Sequence, residues 1–159
     1  MKKCCLILPL LLLFVFSALV GIGQQKKNSG KGNRWPMEEK HMPIDSFPTN
    51  MMVNHIEGWG GMTVAVNSLP AGADFSPMLI GLKNNSCQVP HWGYIIKGVM
   101  RLQYDNGKVV ILKAGDLFYM APGHKAKVEE NLKLLDFNPQ DEFKELVSHL
   151  EKKAAEQQK

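Results

Sequence analysis

The chain has 159 residues, 45% of them hydrophobic, with 19 basic against 15 acidic side chains and a formal net charge of +4. That length suits one domain with one sizeable core. The weak positive balance, with no Lys/Arg stripe interleaved with aromatics, excludes nucleic acid as a partner.

Lys2 and Lys3 open the chain, and Cys4 to Gly23 then carries no charge, with a dense apolar run from Leu6 to Val20 closed by Gly21 and Gly23. This is the layout of a secretory signal peptide over residues 1–23, with cleavage near Gly23. About 20 apolar residues also suffice for an anchor helix, but Pro9 and the small-residue exit favour cleavage. The expectation is an exported protein, periplasmic or secreted, that meets the membrane only through an uncleaved leader. Loss of the leader removes Cys4 and Cys5 and leaves Cys87 with no intrachain disulfide partner. A lone thiol in an oxidising compartment is a liability unless it is buried, metal-bound, reactive or paired between chains.

Residues 24–34 are polar and rich in Gly, Ser and Lys, so they read as a flexible linker. Residues 35–61 show no clean period and read as an irregular N-terminal arm laid over the core. From Met51 onward, short β-branched and aromatic runs are cut by Gly, Pro and Asn, an all-β signature. The predicted strands are Val53–Ile56, Met62–Leu69, Phe75–Leu82, Trp92–Lys97, Val99–Tyr104, Lys108–Leu112, Leu117–Met120, Lys125–Glu129 and Leu132–Phe137. Asn106-Gly107 predicts a type I′ hairpin turn. In 138–159 the period changes: Phe143, Leu146, Val147, Leu150 and Ala154 predict an amphipathic helix with Asn138 as N-cap and Pro139 at its first position.

The chemistry concentrates between Cys87 and Gly98. Cys87 and His91, four residues apart, can serve as metal ligands, as a nucleophile and its base, or as core filling. His124 follows the Pro122-Gly123 turn. Tyr94, Tyr119 and His55 are candidates to line a pocket, although packing explains each as well. The nine methionines are not clustered in sequence and read as core gap-fillers.

The stretch Cys87-x-x-Pro90-His91-Trp92-Gly93, followed by Gly115-Asp116, an apolar strand and Pro122-Gly123-His124, resembles the two motifs of the cupin family over roughly Met62 to Phe137. The resemblance implies an antiparallel β-barrel or jelly roll, here 62–137, with a C-terminal α-helix. Asn85 and Ala126 stand where that family keeps histidines, and His91 where it keeps a glutamate. Cys87, His91 and His124 form a substitute ligand set for a divalent transition metal, with Zn, Fe, Ni and Cu not distinguished. The implied function is binding of a transition metal, a small molecule or both inside the barrel, with metal-dependent small-molecule chemistry as its catalytic form. The alternative is a metal-free small-molecule-binding or assembly module without catalysis. Separately, the resemblance implies a homodimer formed through sheet edges, which the arm from Met37 to Asn50 could serve. Cys-x-x-Pro-His-x-Gly also resembles the copper loop of cupredoxins, whose axial ligand would lie just beyond, whereas the next methionine after His91 is Met100.

Overall fold

The computed structural model describes residues 40–157, so the predicted leader, the linker and the first residues of the arm lie outside the described residues. The described residues form strands β1 (His55–Trp59), β2 (Met62–Leu69), β3 (His91–Tyr104), β4 (Val109–Lys113), β5 (Leu117–Met120) and β6 (His124–Pro139), then helix α1 (Gln140–Gln157). Strand order is β1-β2-β6-β3-β4, with β5 paired to the start of β3, and every pairing is antiparallel. The fold is an antiparallel jelly roll, open rather than closed into a continuous barrel, with one C-terminal helix.

Two long strands replace four short predicted ones. Gly98 does not end β3: it adopts φ +86°, with no room for a Cβ beside the Asn131 backbone, and the β3–β6 register shifts around it. A bulge of this kind changes which residues face inward. Ile95 is buried before it, whereas Met100 and Leu102 are buried after it.

Three further expectations are corrected. Phe75–Leu82 is not a strand: Ser76–Leu79 is a short 3₁₀ turn with Pro77 at its start, and Gly81 takes φ +99°. The β3–β4 turn is not type I′, because only Gly107 has positive φ there. Gly107 donates to the Tyr104 carbonyl, and Tyr104 donates to that of Lys108, the bonding of a type I turn with a glycine bulge. The helix begins at Gln140 rather than Pro139, because β2 holds Asn138 and Pro139 in β6 through the pairs Thr63↔Asn138 and Met62↔Pro139.

The main core gathers Ile95, Met100, Leu102, Leu112, Phe118, Met120, Val128, Leu132 and Leu134 between the curved faces of the sheet. A second cluster joins Ala65, Leu79, Cys87 and Val89 to the helix stripe Phe143, Leu146, Val147 and Leu150. At about 1.5–3 kcal/mol for each buried large apolar side chain, that stripe fastens α1 over one end of the roll. On the opposite face of β2, Phe47 of the arm packs on Val64 and Val66. Among the described residues, no helix is long and apolar enough to cross a membrane.

Candidate metal centre

Three backbone segments converge where α1 covers the roll. Cys87 lies in the segment entering β3, and its backbone bridges to His124: the Cys87 amide donates to the His124 carbonyl at 2.8 Å, and Gly123 donates back to Cys87 at 2.7 Å. His91 opens β3 and His124 opens β6. The fold therefore brings together the three residues singled out as ligands. All are buried, and their ligating atoms lie within 4.8 Å of one another. Cys87 Sγ is 3.3 Å from His91 Nε2, and the two imidazole rings meet edge to face at 5.1 Å.

The far side of each ring is already committed. His124 Nδ1–H donates to the Ala121 carbonyl at 2.7 Å, and His91 Nδ1–H donates to Asn138 Oδ1, with Asp136 Oδ2 behind it at 3.5 Å. A metal-ligating histidine characteristically donates its second N–H to a carbonyl or carboxylate, which fixes ring orientation and raises ligand basicity. In both histidines that arrangement reserves Nε2 for the centre.

Electrostatics favour a charged sulfur. Burial alone would push the Cys87 thiol up, but its hydrogen bonds to His124 and His91, with the charge on those rings, outweigh burial and hold it at about 6. Burial alone would lower His91, whereas Asp136 and Cys87 together raise it to about 10. Asn138 is the nearer acceptor and Asp136 supplies the charge. Because a metal takes thiolate and neutral imidazole, its binding releases the Nε2 proton of His91.

The donor set fits a tetrahedral transition metal. Bonds of about 2.3 Å to sulfur and 2.0–2.1 Å to nitrogen place S and N about 3.5 Å apart and two N atoms about 3.3 Å apart. The Cys87–His91 pair is near that separation, and contraction within the 4.8 Å limit of the set completes it. A cavity of about 130 Å³ adjoins the three, walled by Phe75 and Leu79, by Met100, Met120 and Leu134 of the sheet, and by Phe143, Leu146 and Leu150 of α1.

The candidate pocket-lining residues fall elsewhere. Tyr94 and Tyr119 lie on the exposed outer face, where Trp92 stacks on Tyr119 at 5.1 Å. His55 is in β1, donating Nδ1–H to the Val53 carbonyl at 2.8 Å with its ring against Phe143, and is not among the cavity walls. Asp136 and Asn138 are the polar residues that sequence reasoning missed. Their signal was parity: in β6 the buried positions run Leu132, Leu134, Asp136, Asn138, so a carboxylate and an amide occupy two places of an inward stripe.

The buried thiol and two imidazoles sit in a jelly roll beneath its covering helix. Residues 86–133, from just before Cys87 to the middle of β6, match the family model of the EutQ-like cupin domain, and this span is a cupin-like domain. Among solved structures, the chain is similar to the ethanolamine utilization protein EutQ of Salmonella typhimurium, at 11% identity over 56% of this chain and 69% of that one, TM-score 0.44. It is similar to the EutQ protein of Clostridium difficile, at 14% identity over 56% and 68%, TM-score 0.43. A double-stranded β-helix protein from Klebsiella pneumoniae gives 20% identity over 65% and 93%, TM-score 0.46. No curated protein matches the sequence.

Proposed function

We propose that this protein binds a transition metal through Cys87, His91 and His124 and presents it to a small molecule in the adjoining cavity. The observation that carries the reading is the convergence of three buried ligand atoms within 4.8 Å, with both imidazoles oriented from behind. Three protein ligands leave a coordination position for a small molecule, as in catalytic rather than structural sites. A metal there supplies Lewis acidity or lowers the pKa of a bound water. The chain's own contributions are separate: Asn138 and Asp136 keep the proton on His91 Nδ1, Ala121 keeps one on His124 Nδ1, and the apolar walls exclude bulk water. The uncharged run after Lys2 and Lys3 supports action outside the cytoplasm, in the periplasm or medium.

A second reading is favoured by one observation. Cys87, His91 and Asn138 are linked in that order by hydrogen bonds, the arrangement in which a thiol nucleophile is activated by an imidazole that an amide orients. One experiment separates the two: elemental analysis of protein purified without added metal or chelator, beside Cys87→Ala and His124→Ala, with thiol alkylation followed in parallel. The metal reading expects about one metal per chain, lost in both variants, and a thiol shielded until chelator is added. Metal content that does not change in the variants would overturn it. A metal-free protein with a rapidly alkylated thiol, unaffected by chelator, selects the nucleophile.

A further inference from the structure

We propose that Met120 is a fourth, thioether ligand, which makes the centre selective for Cu(I) over Zn(II). The proposal rests on the metal-centre reading and names the metal that reading leaves open; the thioether takes the fourth position as a weak ligand, which a small molecule entering from the cavity displaces. β5 pairs with β3 so that Met120 stands directly opposite His91. Directly opposed residues on an antiparallel pair project to the same face with Cβ atoms about 4.5–5.5 Å apart. Both side chains are buried, and both wall the cavity that Cys87 and His124 also wall. The methionine sought next to His91 in sequence is therefore supplied across the sheet.

Asp136 does not compete for the fourth position. Asp136 reaches His91 through Nδ1, whereas Cys87 meets the same ring through Nε2, so the imidazole stands between carboxylate and thiol. The Asn67 amide, also in the wall, has its Oδ1 taken by the Asn54 N–H at 2.9 Å; what remains around the cavity is aliphatic and aromatic carbon and the sulfurs of Met100, Met120 and Met52. Thiolate and thioether donors select Cu(I), and two imidazoles and a thiolate with a weaker methionine sulfur form a known copper donor set. Zn(II) gains little from a thioether and is at ease with water or carboxylate in that place.

The test is competitive titration of the full chain against a chromogenic Cu(I) chelator and, separately, a Zn(II) chelator. Wild type is compared with Met120→Leu and with Met62→Leu, whose side chain is not among the cavity walls. Leucine conserves volume, so the core tolerates the change. Met120→Leu is expected to weaken Cu(I) about ten- to a hundredfold, the scale of a single supporting contact to a metal site, while leaving Zn(II) and the Met62→Leu control unchanged. Equal loss for both metals, or none for Cu(I), overturns the proposal and leaves the metal centre standing. Failure of wild type to bind Cu(I) overturns the proposal even where Zn(II) binds, and failure to bind either, with no metal in the protein as purified, overturns both. X-ray absorption at the copper edge of Cu(I)-loaded wild type gives an answer independent of any variant: two sulfur neighbours are expected, and one overturns the thioether.

Discussion

The two faces of the sheet around the centre partition polarity in opposite senses. Inward stand His91, His124, Asp136 and Asn138; outward, on the same two strands and on the neighbouring β5, stand Trp92, Tyr94, Phe137, Leu117 and Tyr119, with Leu117 84% exposed. Neighbours in sequence are split between them: His91 in and Trp92 out, Asp136 in and Phe137 out, Asn138 buried beside Thr63. The usual expectation places the aromatic residue inside and the charged one outside. The inversion shows that alternation and phase are separate facts about a strand. Alternation is local, but phase here is a matter of distant contacts: the β3–β6 register shifts at Gly98, and Asn138 and Asp136 meet His91, which meets Cys87, on the inward side.

The sharpest way to break this partition is to remove the bulge that sets the phase along β3. In Gly98→Ala the new Cβ would stand 2.3 Å from the Asn131 carbonyl oxygen, at φ +86°. Left-handed strain of about 1–2 kcal/mol joins overpacking of about 1–3 kcal/mol, so chemical denaturation is expected to show a loss of about 2–5 kcal/mol. An unchanged midpoint would mean that the bulge does not hold the phase.

A smaller effect is expected on the polar side of the comparison. Asn138→Leu strips His91 Nδ1–H of its nearest acceptor in a buried place, which costs about 1–3 kcal/mol in stability and about ten- to a hundredfold in metal affinity. Thermal unfolding measured with and without metal separates the two losses. Retention of full affinity would show that Asp136 alone orients the ring.

The smallest change belongs to the outer face. Leu117→Lys is expected to leave stability within about 0.5 kcal/mol, because that side chain buries little. A larger loss in denaturant titrations would mean that the aromatic face is covered in solution.

How much of this was legible in the sequence follows from the range of each cause. The turn-bounded run Leu117–Met120 is a strand with those bounds, because Asp116 and Ala121 delimit it locally. The helix stripe from Phe143 to Leu150 is likewise buried as its period predicts. Asn138 was misread because Asn-Pro before a helical pattern is a sound local capping signal, whereas its true place is set by pairing with Thr63, far away in the chain. Phe75–Leu82 looked like a strand because its apolar content suits one, yet Pro77 and Gly81 turn it across the roll, where it lends Leu79 to the cavity. Ligand residue types were visible at Cys87, His91 and His124. The partners that orient His91 were not, because an acid in an apolar strand announces burial only once the strand's phase is known.

The ladder between β3 and β6 also orders assembly in time. Its pairs run from Tyr104↔His124, close in sequence, to Trp92↔Phe137, much farther apart. Shorter loops close at lower entropic cost, so the end near the β3–β4 turn zips first and the end carrying His91, Asp136 and Asn138 last. Until that final step Cys87 and His91 stand apart from His124 in an open chain, reachable by solvent. Metal present during refolding therefore meets its ligands before the helix stripe seals them, and loading at that stage should be faster than loading of the finished fold.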